Sequence, residues 1–449
     1  MFLLFASVFF YAWGDVRYLP ILFFTVFISY IGAIVIERFR SRRNLAVFIV
    51  LDLSMLLYFK YANFFLENLG MLFHREWSLK LVLPLGISFY TFQALSYLMD
   101  VYKREVKAQH NFFDLSLFIC LFPQFIAGPI IKYHEISDQI NNRKETIDSF
   151  YYGLRRFIIG LSKKVLIANA LGRIADQIFM SPVSEVDVPV AWLGALSYMF
   201  QIYYDFSGYS DMAIGLGALF GFRIPENFNY PYISKSVSEF WRRWHISLGA
   251  WFKEYMFYPV SVSLMTSRPY RLIQKYIGKK TADFFLWTVA LAVIWGTTGL
   301  WHGAAWAFLI YGLYNGFFIL LEFLTGWGKD KESKFLSVLQ HLYAKIAVII
   351  GFMIFRMESC NRTLQYIRNM FGLIKEHTIY LSLPQYLDRY HLIIFMVAFV
   401  FSFPVAKNIL NVRKMPYQII INVLLLFALF FSVCSLTENT FNPFIYFRF

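Results

Sequence analysis

A stretch of 38 residues between Asp283 and Glu322 contains no Asp, Glu, Lys or Arg, and a single histidine, His302, lies inside it. As one helix this stretch would be roughly 57 Å long, far more than the ~30 Å apolar core of a bilayer. It must therefore break, and residues 296–299 (GTTG) predict the break just before the histidine, because glycine tolerates strained backbone. Broken helices at membrane depth need protein or a water-filled cavity around them. We therefore expect His302 to lie in an intramembrane cavity.

The composition places the whole chain in a membrane. Of 449 residues, 58% are hydrophobic and 21% aromatic, and the mean hydropathy is +0.52. This predicts an all-α polytopic membrane protein, a single membrane domain over residues 1–449 with about 10–12 transmembrane or re-entrant helices. The apolar stretches are residues 2–13, 16–36, 45–66, 81–101, 112–131, 150–180, 188–221 (read as two), 284–321 (read as two), 341–357, 391–406 and 417–437. The first stretch lacks a basic n-region, so we expect it to remain in the mature chain.

The formal net charge of +14 would suggest nucleic acid in a soluble protein. Here the basic residues cluster beside the apolar stretches, which indicates cytoplasmic loops and contact with acidic lipids rather than nucleic acid. The clusters are Arg38, Arg40, Arg42 and Arg43; Lys103, Arg104 and Lys107; Arg268, Arg271, Lys275, Lys279 and Lys280; and Lys407, Arg413 and Lys414. This orientation predicts that the C-terminal tail, residues 438–449, is extracellular. The three cysteines are far apart, and no disulfide framework or metal site is predicted.

Two regions interrupt the pattern of spans. Residues 132–149 form a polar loop after a segment, 122–129, whose two prolines and glycine favour a kinked or re-entrant path. Residues 223–235 begin as an extended, proline-punctuated stretch. An amphipathic interfacial helix is predicted near residues 236–258. Its aromatic and aliphatic side chains recur at helical spacing, namely Phe240, Trp244, Leu248, Trp251 and Tyr255.

Familiar catalytic motifs are absent from the chain, so any chemistry must depend on histidine, tyrosine or intramembrane acids. Six of the eight histidines fall in polar loops or at the ends of spans, which leaves His245 and His302. His302 is either a hydrogen-bonded structural imidazole or a general base, since histidine exchanges a proton near neutral pH. His245 is either a polar residue on the interfacial helix or a second functional histidine.

Charged residues in and near the spans leave two further alternatives. Residues 203–211 (YYDFSGYSD) place two acids in a predicted span, where a structural hydrogen-bond network is the simpler interpretation. Arg242, Arg243 and Lys253 could hold the phosphates of an acyl donor or the headgroups of acidic lipids.

Several ordered motifs together resemble the membrane-bound O-acyltransferases. They are residues 205–211 (DFSGYSD), 227–231 (NFNYP), 240–248 (FWRRWHISL) and 300–304 (LWHGA). The similarity is greatest to the bacterial branch that O-acetylates alginate and peptidoglycan or transfers D-alanine to teichoic acids. The resemblance implies a ring-like helical wall around a thin centre, with cytoplasmic and extracellular funnels that meet near His302. It also implies a multi-pass protein of the bacterial cytoplasmic membrane.

The same resemblance implies roles for individual residues. His302 matches the catalytic histidine and His245 a second, cytoplasmic-side histidine. The donor would be acetyl-CoA or an acyl carrier used as a co-substrate, with no tightly bound cofactor, and an extracellular SGNH-hydrolase-like protein would complete transfer. Residues 444–449 (FIYFRF) resemble a tail whose tyrosine carries the acyl group, which makes Tyr446 a third catalytic candidate; a membrane-interface anchor is the alternative.

The resemblance also has departures and rivals. Relatives carry another apolar segment before the FYAWG motif at residues 10–14, so we expect either a start upstream of Met1 or one helix fewer. D-alanyl transfer remains an alternative to acetyl transfer, although the Arg242–Arg243 pair is more typical of the polysaccharide-acetylating members. A transporter with an intramembrane His/Asp site is the rival from another class, but paired halves with matching interrupted segments are not visible.

Overall fold

The structure is a computed structural model that describes residues 1–124, 128–328, 333–357, 359–374, 382–405 and 415–438. These residues are overwhelmingly helical, and the extended pairing among them is a single antiparallel bridge between Phe228 and Trp244. Six helical segments of this described part are long and apolar enough to cross a membrane: Phe2–Arg38, Arg42–Phe73, Lys279–His302, Trp306–Thr325, Lys334–Met357 and Met415–Thr437. The predicted all-α polytopic class is confirmed, whereas the ring-like wall and the count of 10–12 crossings remain predictions.

The chain divides into two compact units. Unit 1 comprises Met1–Leu154, Ala213–Glu226 and Ala250–Tyr255. Its helices are α1 Phe2–Asp15, α2 Leu19–Arg38, α3 Arg42–Leu56, α4 Ala62–Phe73, α5 Ile87–Lys103, α6 Phe112–Cys120 and α7 Tyr133–Asn142, with a 3₁₀ turn at Val16–Tyr18 and a π-helical turn at Leu57–Tyr61. Helix α6 ends at Cys120, ahead of the two prolines of residues 122–129, and the predicted polar loop 132–149 contains α7.

Unit 2 comprises Arg155–Met212, Asn227–Gly249 and the described residues from Met256 onward. The helices that begin after α7 are α8 Ile147–Ser162, α9 Asn169–Met180, α10 Val188–Leu219, α11 Val237–Arg243, α12 Ile246–Phe252, α13 Tyr258–Met265, α14 Arg268–Tyr276, α15 Lys279–His302, α16 Trp306–Thr325, α17 Lys334–Met357, α18 Cys360–Met370, α19 Leu383–Tyr386, α20 Arg389–Phe401 and α21 Met415–Glu438. Helices α8, α10 and α12 each run from one unit into the other. The short 3₁₀ and π-helical turns are Lys163–Ala168, Val183–Glu185, Pro231–Ile233 and Lys253–Phe257.

The long uncharged stretch does break, but the predicted position of the break is wrong. Helix α15 runs through residues 296–299 without interruption and ends at His302, and the chain turns at residues 303–305 before α16. Helix α15 has 24 residues and α16 has 20, so each is about the length that a bilayer requires. The length argument was therefore right, whereas glycine at 296 and 299 was wrongly assigned to the turn.

The expected division of residues 188–221 into two spans is also wrong. Helix α10 is continuous over 32 residues. Gly208, in the middle of α10, serves a close helix contact rather than a break, because a Cβ on it would lie 2.7 Å from the carbonyl oxygen of Gly160 in α8. Small residues at such a crossing let two membrane helices approach closely.

The prediction of one interfacial helix near residues 236–258 is wrong in the middle of that segment, where the helix is interrupted. It is divided into α11 and α12 at Trp244–His245, where His245 adopts a left-handed backbone with φ of 47°. The reason is tertiary: Asn229 N donates to Arg243 O (2.9 Å) and Ile246 N donates to Asn227 O (3.0 Å). The extended segment ahead of α11 thus takes backbone groups that a continuous helix would use.

Candidate active site

His302 lies at the closed end of the helical hairpin formed by α15 and α16. Glycines hold the two helices together, because a Cβ on Gly299 would lie 2.2 Å from Phe308 O and one on Gly312 would lie 2.0 Å from Trp295 O. At the turn, a Cβ on Gly303 would lie 2.1 Å from the ring of Phe308. The backbones can approach this closely only without side chains at those positions. The hairpin therefore fixes where the histidine lies.

The imidazole of His302 is 5% exposed and lies among aromatic rings. Its centroid is 4.9 Å from Trp301, 5.3 Å from Phe355 in α17 and 6.1 Å from Tyr311 in α16, all nearly edge-on. It also lies in the last turn of α15, where the partial negative charge of the helix C-terminus favours a cation. The imidazole is thus shielded from bulk water and lies at the negative end of the helix dipole.

His245 is placed by a different kind of structure, the irregular turn between α11 and α12. It is 2% exposed, and its ring lies edge-on to Phe206 of α10, with 4.7 Å between centroids. The expectation of a polar residue on an interfacial helix face is wrong for this histidine. It lies inside unit 2, in a backbone conformation that few residues other than glycine adopt.

One buried side chain, Asn227, organises that turn. Its Oδ1 accepts hydrogen bonds from Ser247 N (3.1 Å) and Ser247 Oγ (2.9 Å) and faces His245 Nδ1 at 3.2 Å. Its Nδ2 donates to Ser210 Oγ in α10 (3.3 Å). The turn is thus tied to the long helix by a fully buried polar group.

The structure brings the two histidines together around one tryptophan. The ring centroid of Trp301 is 6.0 Å from that of His245 and 4.9 Å from that of His302. Burial lowers the pKa of His245 well below its usual value, and the neighbouring His302 lowers it further. His245 is therefore neutral near pH 7, and a charge on one histidine disfavours a charge on the other.

Helix α16 also positions α11, the short helix that leads to His245. Glu322, 4% exposed, accepts from Val237 N (2.6 Å) and Ser238 N (2.8 Å), the first backbone donors of α11. Nearer the N-terminus of the same helix α16, Asn315 Oδ1 accepts a hydrogen bond from Trp241 Nε1 (3.0 Å). Helix α16, the second helix of the hairpin that contains His302, thus also sets the position of α11, the helix before His245.

The predicted phosphate-binding residues separate into three situations. The Arg243 guanidinium donates to Glu239 Oε1 (2.9 Å) and Asn229 O (3.2 Å), which is a structural role. Arg242 is exposed and makes no hydrogen bond or ion pair with the described residues. Lys253 is exposed, begins the π-helical turn Lys253–Phe257 and belongs to unit 1. Of the arginine pair, Arg242 is the one available to a ligand.

The acids of residues 203–211 lie in an ion-pair network between α10 and the segment formed by α8 and the π-helical turn Lys163–Ala168. Asp205 pairs with Lys164, and Asp211 with Arg156 (2.6 Å) and Lys163 (2.6 Å). The interpretation of these acids as a structural network is confirmed. Buried charges persist in a membrane only when they are paired in this way.

Sequence reasoning found both histidines but missed the residues that hold them. Asn227 was visible only as part of a motif, and Glu322 only as the end of the uncharged stretch. An acid that closes a 38-residue uncharged stretch is a usable signal, because it needs a partner at that depth. Tyr446 lies outside the described residues.

Comparison with known proteins assigns the family. Residues 34–271 match the membrane-bound O-acyltransferase family, MBOAT. The chain is 39% identical to the probable alginate O-acetylase AlgI of Azotobacter vinelandii over 368 residues, which is 80% of this chain and 69% of that protein. It is 33% identical to the peptidoglycan O-acetyltransferase of Helicobacter pylori (83% and 74% covered) and 30% identical to the teichoic acid D-alanyltransferase of Bacillus subtilis (60% and 68% covered). The chain therefore belongs to the membrane-bound O-acyltransferase family and is a multi-pass membrane O-acyltransferase.

Proposed function

We propose that this protein moves an acyl group, most simply acetyl, from a cytosolic thioester across the bacterial cytoplasmic membrane to hydroxyls of an extracellular polysaccharide or cell-wall glycan. The observation that carries the proposal is the burial of His302 and His245 around Trp301 inside an apolar membrane protein. Relatives named for O-acetylation of alginate and peptidoglycan support the acetyl group and the glycan.

In this proposal His302 is the general base. It takes the proton of the attacking hydroxyl as that oxygen bonds to the thioester carbon; the carbon–sulfur bond then breaks, and the proton leaves with the thiolate. The thioester is already activated, so the protein has mainly to move one proton and hold the reactants in position. The location of His302 in the last turn of α15 supports the base, because an imidazolium there is stabilised by the helix dipole.

The donor is acetyl-CoA or an acyl carrier, and Arg242 is the residue proposed to hold its phosphate. Arg243 is less suited to this role, because its guanidinium already donates to Glu239 and Asn229. Lys253 remains a separate proposal for donor or lipid binding, since this residue belongs to unit 1. A planar guanidinium binds phosphate oxygens in pairs, which suits Arg242 to this task.

D-alanyl transfer is the second candidate, favoured by the similarity to the teichoic acid D-alanyltransferase. The test is to delete the gene from the native bacterium and to identify which ester is lost from the envelope. Mild alkali should release less acetate from the envelope glycan of the deletion strain, and the intact gene should restore it. Loss of alkali-released D-alanine with unchanged acetate would establish the second candidate, and no change in either would overturn the proposed function.

The tail is proposed to be extracellular and to carry the acyl group in transit on Tyr446. His302 would deprotonate the Tyr446 hydroxyl, the tyrosyl oxygen would displace the thiolate, and an SGNH-hydrolase-like partner would take the acyl group from the tyrosyl ester. Two transfers replace one difficult crossing. We expect Tyr446→Phe, which keeps the aromatic ring, to remove glycan acylation as fully as His302→Ala. Near-normal acylation in Tyr446→Phe would make the tail an interfacial anchor and favour direct transfer.

A further inference from the structure

The proton on His245 can be located from the contacts of Asn227. Ser247 N can only donate a hydrogen bond, and it lies 3.1 Å from the Asn227 side-chain atom assigned as Oδ1. That atom must therefore be the oxygen, which also fits donation from the other amide atom to Ser210 Oγ. The same oxygen faces His245 Nδ1 at 3.2 Å. An oxygen acceptor requires a proton on Nδ1.

We propose that Asn227 is a positioning residue that holds neutral His245 in the Nδ1–H tautomer, so that the lone pair on Nε2 is presented for hydrogen bonding or proton transfer during acyl transfer. The part of this inference that concerns acyl transfer rests on the proposed function; the tautomer does not. In a neutral imidazole one nitrogen donates and the other accepts, so fixing one nitrogen fixes both.

The backbone supports the same arrangement. His245 is in the left-handed region with φ of 47°. Its neighbours are held by the hydrogen bond from Ile246 N to Asn227 O (3.0 Å) and by the Phe228–Trp244 bridge. A strained non-glycine residue persists only where its surroundings over-determine it, and such positions cluster at functional sites. Asn227 contributes both a backbone and a side-chain contact, so it fixes the direction of the ring as well as its protonation.

Among the described residues, Asn227 is the group seen to contact Nδ1 of His245. From α15, His302 is the titratable group that acts on it. From α10, the contact is the ring of Phe206, while the acids of that helix, Asp205 and Asp211, pair with lysines and an arginine. A neutral amide oxygen accepts a hydrogen bond from Nδ1–H and leaves the ring neutral. A carboxylate in its place would favour a second proton on the ring.

The test is nitrogen-15 NMR of the full-length protein, labelled at histidine and reconstituted in lipid nanodiscs, with His245→Gln used to assign the His245 signals. We expect a protonated Nδ1 and an unprotonated Nε2 at pH 7. Asn227→Asp keeps an acceptor oxygen and adds a charge, so it should convert His245 to the doubly protonated form at pH 7. Ser197→Ala, at a buried serine of α10 whose hydroxyl donates to Leu193 O within its own helix, is the control and should leave the tautomer unchanged. An Nε2–H tautomer in the wild type, or no response to Asn227→Asp, would overturn the inference.

Activity supplies the second measurement. Asn227→Ala should reduce the ester content of the envelope glycan by about tenfold or more, with wild-type levels of folded protein, whereas Ser197→Ala should stay near wild type. Asn227→Ser is the second variant if alanine prevents folding. Full ester content in a folded Asn227 variant would overturn the positioning role. Unchanged ester content on deletion of the whole gene would instead overturn the proposed function and leave the tautomer to the NMR result.

Discussion

His245 and His302 have the same side chain and nearly the same burial, but they are held in place by opposite means. His302 ends a 24-residue helix, and its position depends on glycine-to-backbone packing between α15 and α16. His245 lies in an irregular turn, and its position depends on hydrogen bonds to Asn227 and on a left-handed backbone. His302 is 5% exposed and His245 is 2% exposed, so burial alone does not distinguish them.

The difference shows how a membrane protein can place two buried imidazoles around one tryptophan. Regular helices satisfy their own backbone, so steric fit suffices to locate a residue at a helix end. A turn leaves backbone groups unsatisfied, so it needs polar side chains to occupy them. We therefore expect the His302 region to be sensitive to volume and the His245 region to be sensitive to hydrogen bonding.

The largest expected effect separates the histidines by chemistry. His302→Ala should abolish glycan acylation, a loss of about 10²–10⁴-fold for removal of a general base, at normal expression. His245→Ala should lose less, or should change the dependence on donor concentration. The measurement is alkali-released ester per amount of membrane protein, with His110→Ala, an exposed histidine of unit 1, as the control. Equal and complete loss in both variants would contradict the division of roles.

The second prediction tests steric fit in the hairpin. Gly312→Ala should destabilise the protein by about 1–3 kcal/mol, because its Cβ would lie 2.0 Å from Trp295 O, a backbone atom that cannot move alone. Gly296→Ala is the matched control in the same hairpin, since its nearest neighbour is Leu309 at 3.6 Å. Thermal unfolding in detergent measures both. Equal tolerance would show that glycine packing does not position His302.

The third prediction tests the hydrogen bonds that hold the segment before His245. Glu322→Gln leaves one acceptor oxygen for the backbone donors of Val237 and Ser238, so it should cost about 1–3 kcal/mol for an unsatisfied buried N–H. Tyr343→Phe removes only a 3.2 Å bond to the same carboxylate and should cost about 1 kcal/mol or less. The unfolding midpoints of the two variants, measured in the same lipid, compare the two losses of stability. A larger loss from Tyr343→Phe would mean that the carboxylate does not hold α11.

The smallest expected effect separates the neighbouring arginines. Arg242→Gln should raise the acetyl-CoA concentration for half-maximal activity by about tenfold, with unchanged stability, because Arg242 makes no hydrogen bond or ion pair with described residues. Arg243→Gln should instead lower stability slightly, by about 0.2–1 kcal/mol for its partly exposed pair with Glu239. Purified protein in nanodiscs gives both quantities. Reversed behaviour would exchange the proposed roles.

Much of the fold and part of the site could be predicted from the sequence. Hydropathy and length gave the membrane class and the need for a break near His302, because the bilayer sets a maximum helix length. The position of the break was missed: Gly296 and Gly299 look alike in sequence, but Gly299 meets the backbone of α16 and Gly296 does not. Helical spacing from Phe240 to Tyr255 could not reveal that an upstream segment pairs with Arg243 and Ile246.

The sequence by itself determined that this is a membrane protein, that the uncharged stretch around His302 has to break, and which family its motifs resemble, because these depend on composition and order along one chain. Only the tertiary structure decided that His245 is buried beside Trp301, that Asn227 faces it and that Glu322 caps α11. These facts join residues 18 to 85 positions apart. Contacts of this kind depend on which helices pack together, and that outcome is set by the whole chain rather than by any local pattern.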